Sequence, residues 1–322
     1  MILPKERLKI CFAHVAYQLG PCFALRDTGI AYTQATNLDE LTAQLPEADV
    51  LVVSGMWKNE LLEKSPKLRF IQSIGAGTDQ FSREALQARG IRLASASGVN
   101  RRAVSEHAMS LILALARLLP EARDNQAKKV WRGMIGDRTK REDELGGKTL
   151  VIVGLGAIGG RLAELAKAFD LKVIGVKRDP STGKGAADAV YATADLKKVL
   201  PEADFVALTC PLTRETENII DAAALAAMKP SAYLVNCARG RCVDEKALVD
   251  ALSSERIAGT ALDVTVEEPL PASSPLWTTK NTFITPHTAG ETRKYEDNVI
   301  DILLENLTRL WKGESKLRNQ IV

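Results

Sequence analysis

The sequence predicts an α/β fold with two parallel-sheet domains, and three observations carry that expectation. The chain has 322 residues, more than one hydrophobic core usually organises. Short apolar runs, partly β-branched, alternate with amphipathic stretches, the order that builds parallel sheets. The alternation occurs twice, on either side of a long helical stretch.

The first series has strand-like runs at residues 9–12, 48–53, 68–74 and 91–96. Each is short and apolar, as a strand buried on both faces should be. Helical patterns at 38–45 and 82–87 lie between them. A single long helix is expected over 101–128, with Asn100 as its N-cap and Met109, Ile112, Leu113 and Ala116 at helical spacing. Residues 126–144 are polar and charged apart from Val130, Trp131, Met134 and Ile135, so they read as a loop or an arm. The second series has strands at 150–153, 172–176, 205–208, 232–236, 259–262 and 282–285. A final helix over 291–311 is placed to pack back on the first half.

Composition narrows the class. The chain is 46% hydrophobic and 26% charged, as in ordinary globular proteins, and its formal net charge of +3 gives no case for nucleic acid or an acidic membrane. The five cysteines form no CxxC pair, so reduced thiols are expected rather than disulfides or a metal site. No run approaches the roughly 18 apolar residues of a membrane span. The N-terminus resembles the lead into a strand rather than a signal peptide, so the cytoplasm is the expected compartment.

The most informative segment is Val151-Ile152-Val153-Gly154-Leu155-Gly156-Ala157-Ile158-Gly159. Gly154 permits a tight turn, Gly156 lets a pyrophosphate approach the backbone, and Gly159 lets the helix close on the strand. The N–H groups at the start of that helix, around Ala157 and Ile158, then face the phosphates. A structural turn or a methyltransferase loop could share this pattern. The strand before it, the helix after it and a further strand at 172–176 favour a Rossmann-like dinucleotide site. That further strand should end with an acid for the adenosine ribose. Here Lys177 and Arg178 stand there, with Asp179 just beyond. Cations suit a 2′-phosphate, which favours NADP over NAD, although both side chains could simply point to solvent.

Three polar residues follow strands of the second half: Arg239 in NCARG, Glu268 in VEEPLP and His287 in TPHTAG. Singly, each has a bland reading as a surface charge, a solvated turn or a structural histidine. Together they meet the needs of reducing a 2-keto acid. Histidine exchanges the proton, a carboxylate orients the ring and stabilises imidazolium, and arginine holds the substrate carboxylate and carbonyl.

These segments, in their order, resemble the D-isomer-specific 2-hydroxyacid dehydrogenase family. The resemblance rests on residues 154–159, Thr209 to Thr213 (TCPLT) with Thr216, 236–245 (NCARGRCVDE), 263–277 (DVTVEEPLPASSPLW) and 285–290 (TPHTAG). It reaches into the first half through 75–79 (GAGTD), 98–100 (GVN) and 103–107 (AVSEH). It implies Arg239 as the substrate clamp, His287 as acid/base and Glu268 as its partner. It places Cys210, Pro211, Thr216, Cys237, Ala238, Asp263 and Gly290 along the cofactor, with Arg239 and His287. Backbone N–H groups around Ala76 and Gly77 would hold the substrate carboxylate, and Asn100 would shape a hinge. It also implies that a cofactor domain, 100–289, is inserted into a substrate domain of 1–99 and 290–322. Dimerisation through the cofactor domain is implied too, with Trp131 in the contact region. The family's acid after the second strand is replaced here by Lys177-Arg178, and Thr265 and Val266 replace its usual aromatic and acidic residues.

Several residues have competing readings. Trp57 is either a hydrophobic wall for the substrate or a lid residue. His107 reads as a packed or helix-capping histidine rather than a second acid, and His14 as a loop residue. Cys237 and Cys242 read as small side chains, not nucleophiles. No third domain follows the last helix, which points away from the longer phosphoglycerate dehydrogenases and toward a glyoxylate/hydroxypyruvate reductase. A sensor of the same fold, binding a nicotinamide with little turnover, is the alternative.

Overall fold

The computed structural model describes residues 2–322. In chain order the strands are β1 (Lys9–Ala13), β2 (Ala31–Ala35), β3 (Val50–Val53), β4 (Phe70–Ser73), β5 (Arg92–Ala94), β6 (Thr149–Val153), β7 (Lys172–Lys177), β8 (Ala189–Ala192), β9 (Phe205–Leu208), β10 (Tyr233–Asn236), β11 (Gly259–Leu262) and β12 (Thr282–Ile284). The α-helices are α1 (Leu19–Ala24), α2 (Leu38–Gln44), α3 (Arg83–Ala88), α4 (Arg101–Ala116), α5 (Leu119–Ala127), α6 (Ala157–Ala168), α7 (Leu196–Val199), α8 (Ala222–Ala227), α9 (Glu245–Ser253) and α10 (Tyr295–Trp311). The chain divides into two compact units. One holds the residues up to Asn100 together with Thr292–Val322, and the other is Arg101–Glu291.

The first unit is a parallel sheet in the order β2-β1-β3-β4-β5. Its inner strands are buried on both faces, so their side chains divide by period two. Ile10, Phe12, Val50, Val52 and Phe70 meet α1 and α10 on one face. Cys11, Ala13, Leu51, Val53 and Ile71 meet α2 and α3 on the other. The chain end covers the open edge of β5, where the Ile321 N–H donates to the Leu93 carbonyl at 2.8 Å.

The second unit is a parallel sheet in the order β12-β11-β10-β9-β6-β7-β8, again with a core on each face. From β6 the chain builds outward through β7 and β8, then returns to the other side of β6 with β9. That reversal opens a crevice above the carboxyl ends of β6 and β9, the usual ligand position in open α/β sheets. Register sets what meets there. Val153 pairs with Leu208, Leu208 with Asn236, Asn236 with Leu262, and Leu262 with Ile284. The loops after five strands therefore leave the sheet along one edge.

Three expectations need correction. The single helix over 101–128 is two helices, α4 and α5, bent by 69°. Leu118 takes a left-handed φ of 50°, and Pro120 has no N–H to give the Ala116 carbonyl, which accepts from Asp143 instead at 2.8 Å. Strands β2 and β8 are additional; both are sheet edges, β2 mostly exposed with Thr33 and Gln34 in its run, and β8 a short, only partly buried Ala-Val-Tyr-Ala segment. The last helix begins at Tyr295 rather than at 291, because a turn at Thr292 precedes it. No single helix among the described residues is long and apolar enough to cross a membrane.

Candidate active site

The glycine turn sits at the β6/β9 reversal. Gly154 has φ +98°, and a Cβ on it would run into the backbone of Cys210. A Cβ on Gly159 would meet the Gly154 carbonyl and Thr209. At Gly156 nothing lies within 4 Å of that position. The protein's own packing thus demands two of the glycines, while the third leaves open space for a ligand. Asn37, Ser82, Asp221 and Asp244 each cap a helix with a side chain, but Gly156 caps α6 with none. The N–H groups of Ala157, Ile158 and Gly159 lack intrahelical acceptors at this end. A cavity of about 530 Å³ opens beside them, lined by Gly154, Gly156, Lys177, Arg178, Cys210 and Thr216 among others. This cradle fits the pyrophosphate of a dinucleotide.

The cavity wall is held by its own hydrogen bonds. The Thr216 hydroxyl donates to the Pro211 carbonyl at 2.6 Å and accepts the Thr213 N–H at 2.7 Å. Lys177 Nζ donates to the Gly183 carbonyl at 2.8 Å. Arg178 is exposed and has no side-chain partner among the described residues. Asp179 accepts the hydroxyl and N–H of Ser181 at 2.6 and 2.9 Å, and these bonds hold its carboxyl below the usual range. The only acid next to the pair is therefore committed to its own turn, and two cations border the cavity.

Three loops carry the expected catalytic residues. After β10, buried Asn236 accepts the Ala238 N–H and donates to the Arg239 carbonyl, both at 3.0 Å. That curl turns the Arg239 side chain outward, where Nη1 also reaches the Ala238 carbonyl at 2.7 Å. Gly240 follows, and a Cβ there would overlap the backbone of Thr265. The Arg239 loop is thus pressed onto the loop that carries Glu268. After β11, Glu268 Oε1 accepts the Thr265 N–H at 3.1 Å and Oε2 lies 2.7 Å from His287 Nδ1. An ionised carboxylate can only accept, so Nδ1 carries the proton. After β12, His287 is held at φ +55° by its N–H bond to the Asp263 carbonyl at 2.8 Å. Its side chain is 48% exposed, and Nε2 has no partner among the described residues. The neutral ring thus offers Nε2 as a base, and the protonated ring offers it as an acid.

Asp263 is buried, and its Oδ1 accepts from the Thr285 hydroxyl at 2.6 Å and the Thr288 N–H at 3.0 Å. Cys237 and Ala238 are buried beneath the Arg239 loop, and Gly290 follows the segment bound to Asp263. Burial, then the charge of Asp263, push the Cys237 thiol up, which suits an inert side chain. The Cys210 thiol is raised by its contact with Cys242, whose sulfur is 4.0 Å away, and by burial.

Within the first unit, Ala76 and Gly77 follow β4, and their N–H groups have no partner among the described residues. Asn100 is that unit's last residue before α4. Trp57 is 3% exposed, stacks on Phe81 at 5.6 Å and donates its ring N–H to Asn59, so it is packed in the core rather than on a mobile lid. His14 accepts the N–H groups of Ala16 and Tyr17. His107 caps nothing; it lies within α4, with Nε2 3.0 Å from the Thr285 hydroxyl. The supporting roles of Thr265, Thr285 and Gly240 are new, because each acts through a loop distant in sequence.

Comparison with known proteins places the chain in a family. The family model described as D-isomer specific 2-hydroxyacid dehydrogenase, NAD binding domain, matches residues 109–289. D-3-phosphoglycerate dehydrogenase of Methanocaldococcus jannaschii is 38% identical over 281 residues, which cover 86% of this chain and 52% of that one. The chain thus spans about half the length of this relative. Glyoxylate/hydroxypyruvate reductase B of Yersinia pestis is 36% identical over 284 residues, covering 87% of this chain and 86% of that one. The crystal structure of a D-isomer specific 2-hydroxyacid dehydrogenase family protein from Aeromonas salmonicida aligns with a TM-score of 0.85 at 30% identity, covering 98% and 99% of the two chains. The family match extends over more than half the chain and takes in Gly154, Arg239, Glu268 and His287, and the chain belongs to the D-isomer specific 2-hydroxyacid dehydrogenase family.

Proposed function

We propose that this protein is a nicotinamide-dependent oxidoreductase that interconverts a 2-keto acid and a D-2-hydroxy acid. The observation that carries this reading is the hydrogen-bonded Glu268–His287 pair, on the same sheet edge as the open Gly156 cradle. Gly154, Gly156 and the first N–H groups of α6 would hold the dinucleotide, which supplies hydride-transfer chemistry when bound. Arg239 offers a fork of donors to the substrate carboxylate and carbonyl, and so fixes the keto carbon. His287 Nε2 gives a proton to the carbonyl oxygen in reduction and recovers it from the hydroxyl in oxidation. Glu268 keeps the ring oriented and balances its charge in the protonated form.

The finer reading is NADP(H) with glyoxylate or hydroxypyruvate. Lys177 and Arg178 at the cavity border support the phosphate, since neither can accept a bond from a ribose hydroxyl. The similarity to glyoxylate/hydroxypyruvate reductase B over most of both chains supports the substrate. Two further readings attach to the whole chain. Trp131 and Met134 stand fully exposed on the segment after α5, and pairing with a second copy would cover them. Five free thiols suit a reducing compartment such as the cytoplasm.

A kinetic panel decides the main point. NADPH and NADH oxidation are followed with glyoxylate, hydroxypyruvate, pyruvate and bulkier 2-keto acids. Turnover is expected with at least one small keto acid, faster with NADPH. Absence of oxidation with every acid would sink the enzyme reading and leave a binding protein of the same fold. Sedimentation of the wild type and of Trp131→Ser tests the pairing, for which a shift from dimer to monomer is expected.

A further inference from the structure

A partly buried chain of polar groups runs from α4 to the loop that carries His287. Its centre is Asp263, 2% exposed. Asp263 Oδ1 accepts from the Thr285 hydroxyl at 2.6 Å and from the N–H groups of Thr288 at 3.0 Å and Ala289 at 3.2 Å; Oδ2 shares the Ala289 N–H at 3.1 Å. The carbonyl of the same residue takes the His287 N–H at 2.8 Å. The backbone from His287 to Ala289, with the Thr285 hydroxyl before it, is therefore wrapped around one aspartate. His287 itself sits in the left-handed region, which costs a non-glycine residue about 1–2 kcal/mol unless its surroundings enforce it.

His107 closes the chain. Its Nε2 lies 3.0 Å from the Thr285 hydroxyl and 3.5 Å from Asp263 Oδ1. The directions of these bonds follow from the chemistry. The carboxylate can only accept, so the Thr285 proton points at Asp263 and the Thr285 oxygen must accept from His107. Nε2 of His107 therefore carries a proton. His107 is also the only basic side chain in ion-pair range of Asp263 among the described residues. The backbone of α4 is held by buried Val104, Ala108, Met109, Leu111 and Ile112, so the donor arrives on a fixed element.

We infer that His107 is a positioning residue for His287, acting through Thr285 and Asp263. It fixes the rotor of the Thr285 hydroxyl and turns its Nε2–H toward the buried aspartate. The aspartate then keeps the Thr288 and Ala289 N–H groups, and with them the left-handed turn at His287. This inference rests on the reading of His287 as the acid/base, and its test separates the two.

The test compares wild type with His107→Leu, which fills the space without a donor, and His107→Gln, whose amide can restore one near Nε2. Hydrogen-exchange mass spectrometry of the ligand-free protein is read on peptides covering 284–290. Exchange there is expected to quicken about tenfold in the leucine variant, return toward wild type in the glutamine variant, and stay unchanged in β6 and α6. In the same variants kcat is expected to fall about tenfold with leucine and recover in part with glutamine, with KM for the keto acid little changed. Unchanged exchange at 284–290 overturns the inference. So does a general loosening of α4 that glutamine does not restore, because that marks a packing role alone. The exchange readout needs neither substrate nor cofactor. Lack of turnover in the wild type would therefore fell the functional reading and leave the exchange result to decide whether His107 holds the turn.

Discussion

Glu268 divides its carboxylate between His287 Nδ1 at 2.7 Å and the Thr265 N–H at 3.1 Å. One oxygen anchors the acid to its own loop, and the other orients the imidazole. The pair is half exposed, so it adds little to stability. His287→Ala is expected to lower kcat by about 10²–10⁴-fold while cofactor affinity holds. Glu268→Gln should cost less, because the amide oxygen can still accept from Nδ1 but no longer balances imidazolium. Steady-state kinetics and cofactor titration check both, and an unchanged kcat for His287→Ala would show that another group moves the proton.

Arg239→Ala removes a charged donor fork from an exposed side chain. A hydrogen bond to a charged group is worth about 1.5–3 kcal/mol, so kcat/KM for the keto acid should fall roughly tenfold to a hundredfold. Arg239→Lys should recover only part of this, since a point charge does not reproduce the fork. Full activity in the lysine variant would show that charge alone suffices.

Replacing Lys177 and Arg178 together with serine should weaken NADPH at least tenfold and leave NADH nearly unchanged. The comparison is made by titration at low and high salt, because a phosphate contact of this kind is screened. Equal losses for the two cofactors would mean that the cations serve the pyrophosphate or the fold instead.

Two glycine substitutions should separate folding from binding. Gly240→Ala forces a Cβ into the Thr265 backbone, where no flexible side chain can yield. It should cost about 1–3 kcal/mol of stability and disturb the Arg239 and Glu268 loops together. Gly156→Ala meets no atom within 4 Å, so its melting should stay close to wild type while dinucleotide affinity drops. Thermal melts with and without cofactor distinguish the two. Normal cofactor affinity in Gly156→Ala would remove the pyrophosphate from that position.

In the first unit, Asn306 of α10 is fully buried. Its Nδ2 donates to Gln72 Oε1 at 2.9 Å, and its Oδ1 accepts the Arg318 N–H at 2.8 Å. Asn306→Leu leaves both partners unsatisfied and should destabilise by about 1–3 kcal/mol, read from denaturant midpoints. An unchanged midpoint would mean that water takes over those bonds.

The central strands were legible in the sequence because they are buried on both faces and so keep an uninterrupted apolar run, as Val50–Val53 and Phe205–Leu208 do. The glycine turn was legible because Gly154 and Gly159 are demanded by local packing. The exposed edge strand β2 mixes Tyr32, Thr33 and Gln34 and has no hydrophobic signature, whereas β8 carries a short apolar run, Ala189 to Ala192, that is only partly buried. The break at Leu118 was in principle visible through Pro120, but helical spacing continued past it. The stacking of Trp57 on Phe81 was not legible, because the two are 24 positions apart and meet only through packing.

The sequence by itself determined the alternation of strands and helices, the dinucleotide turn and the identities of Arg239, Glu268 and His287. Only the tertiary structure decided that their loops leave the sheet along one edge and that Glu268 meets His287. The ladder that aligns Asn236, Leu262 and Ile284 brings three loops to one edge, and a one-residue slip in any strand would turn its side chains to the opposite face. Tertiary packing also placed His107 against Thr285 and Asp263, although 178 positions separate His107 from Thr285 along the chain. Local pattern can write a residue into a helix or a turn; which distant group it meets depends on how the sheet assembles.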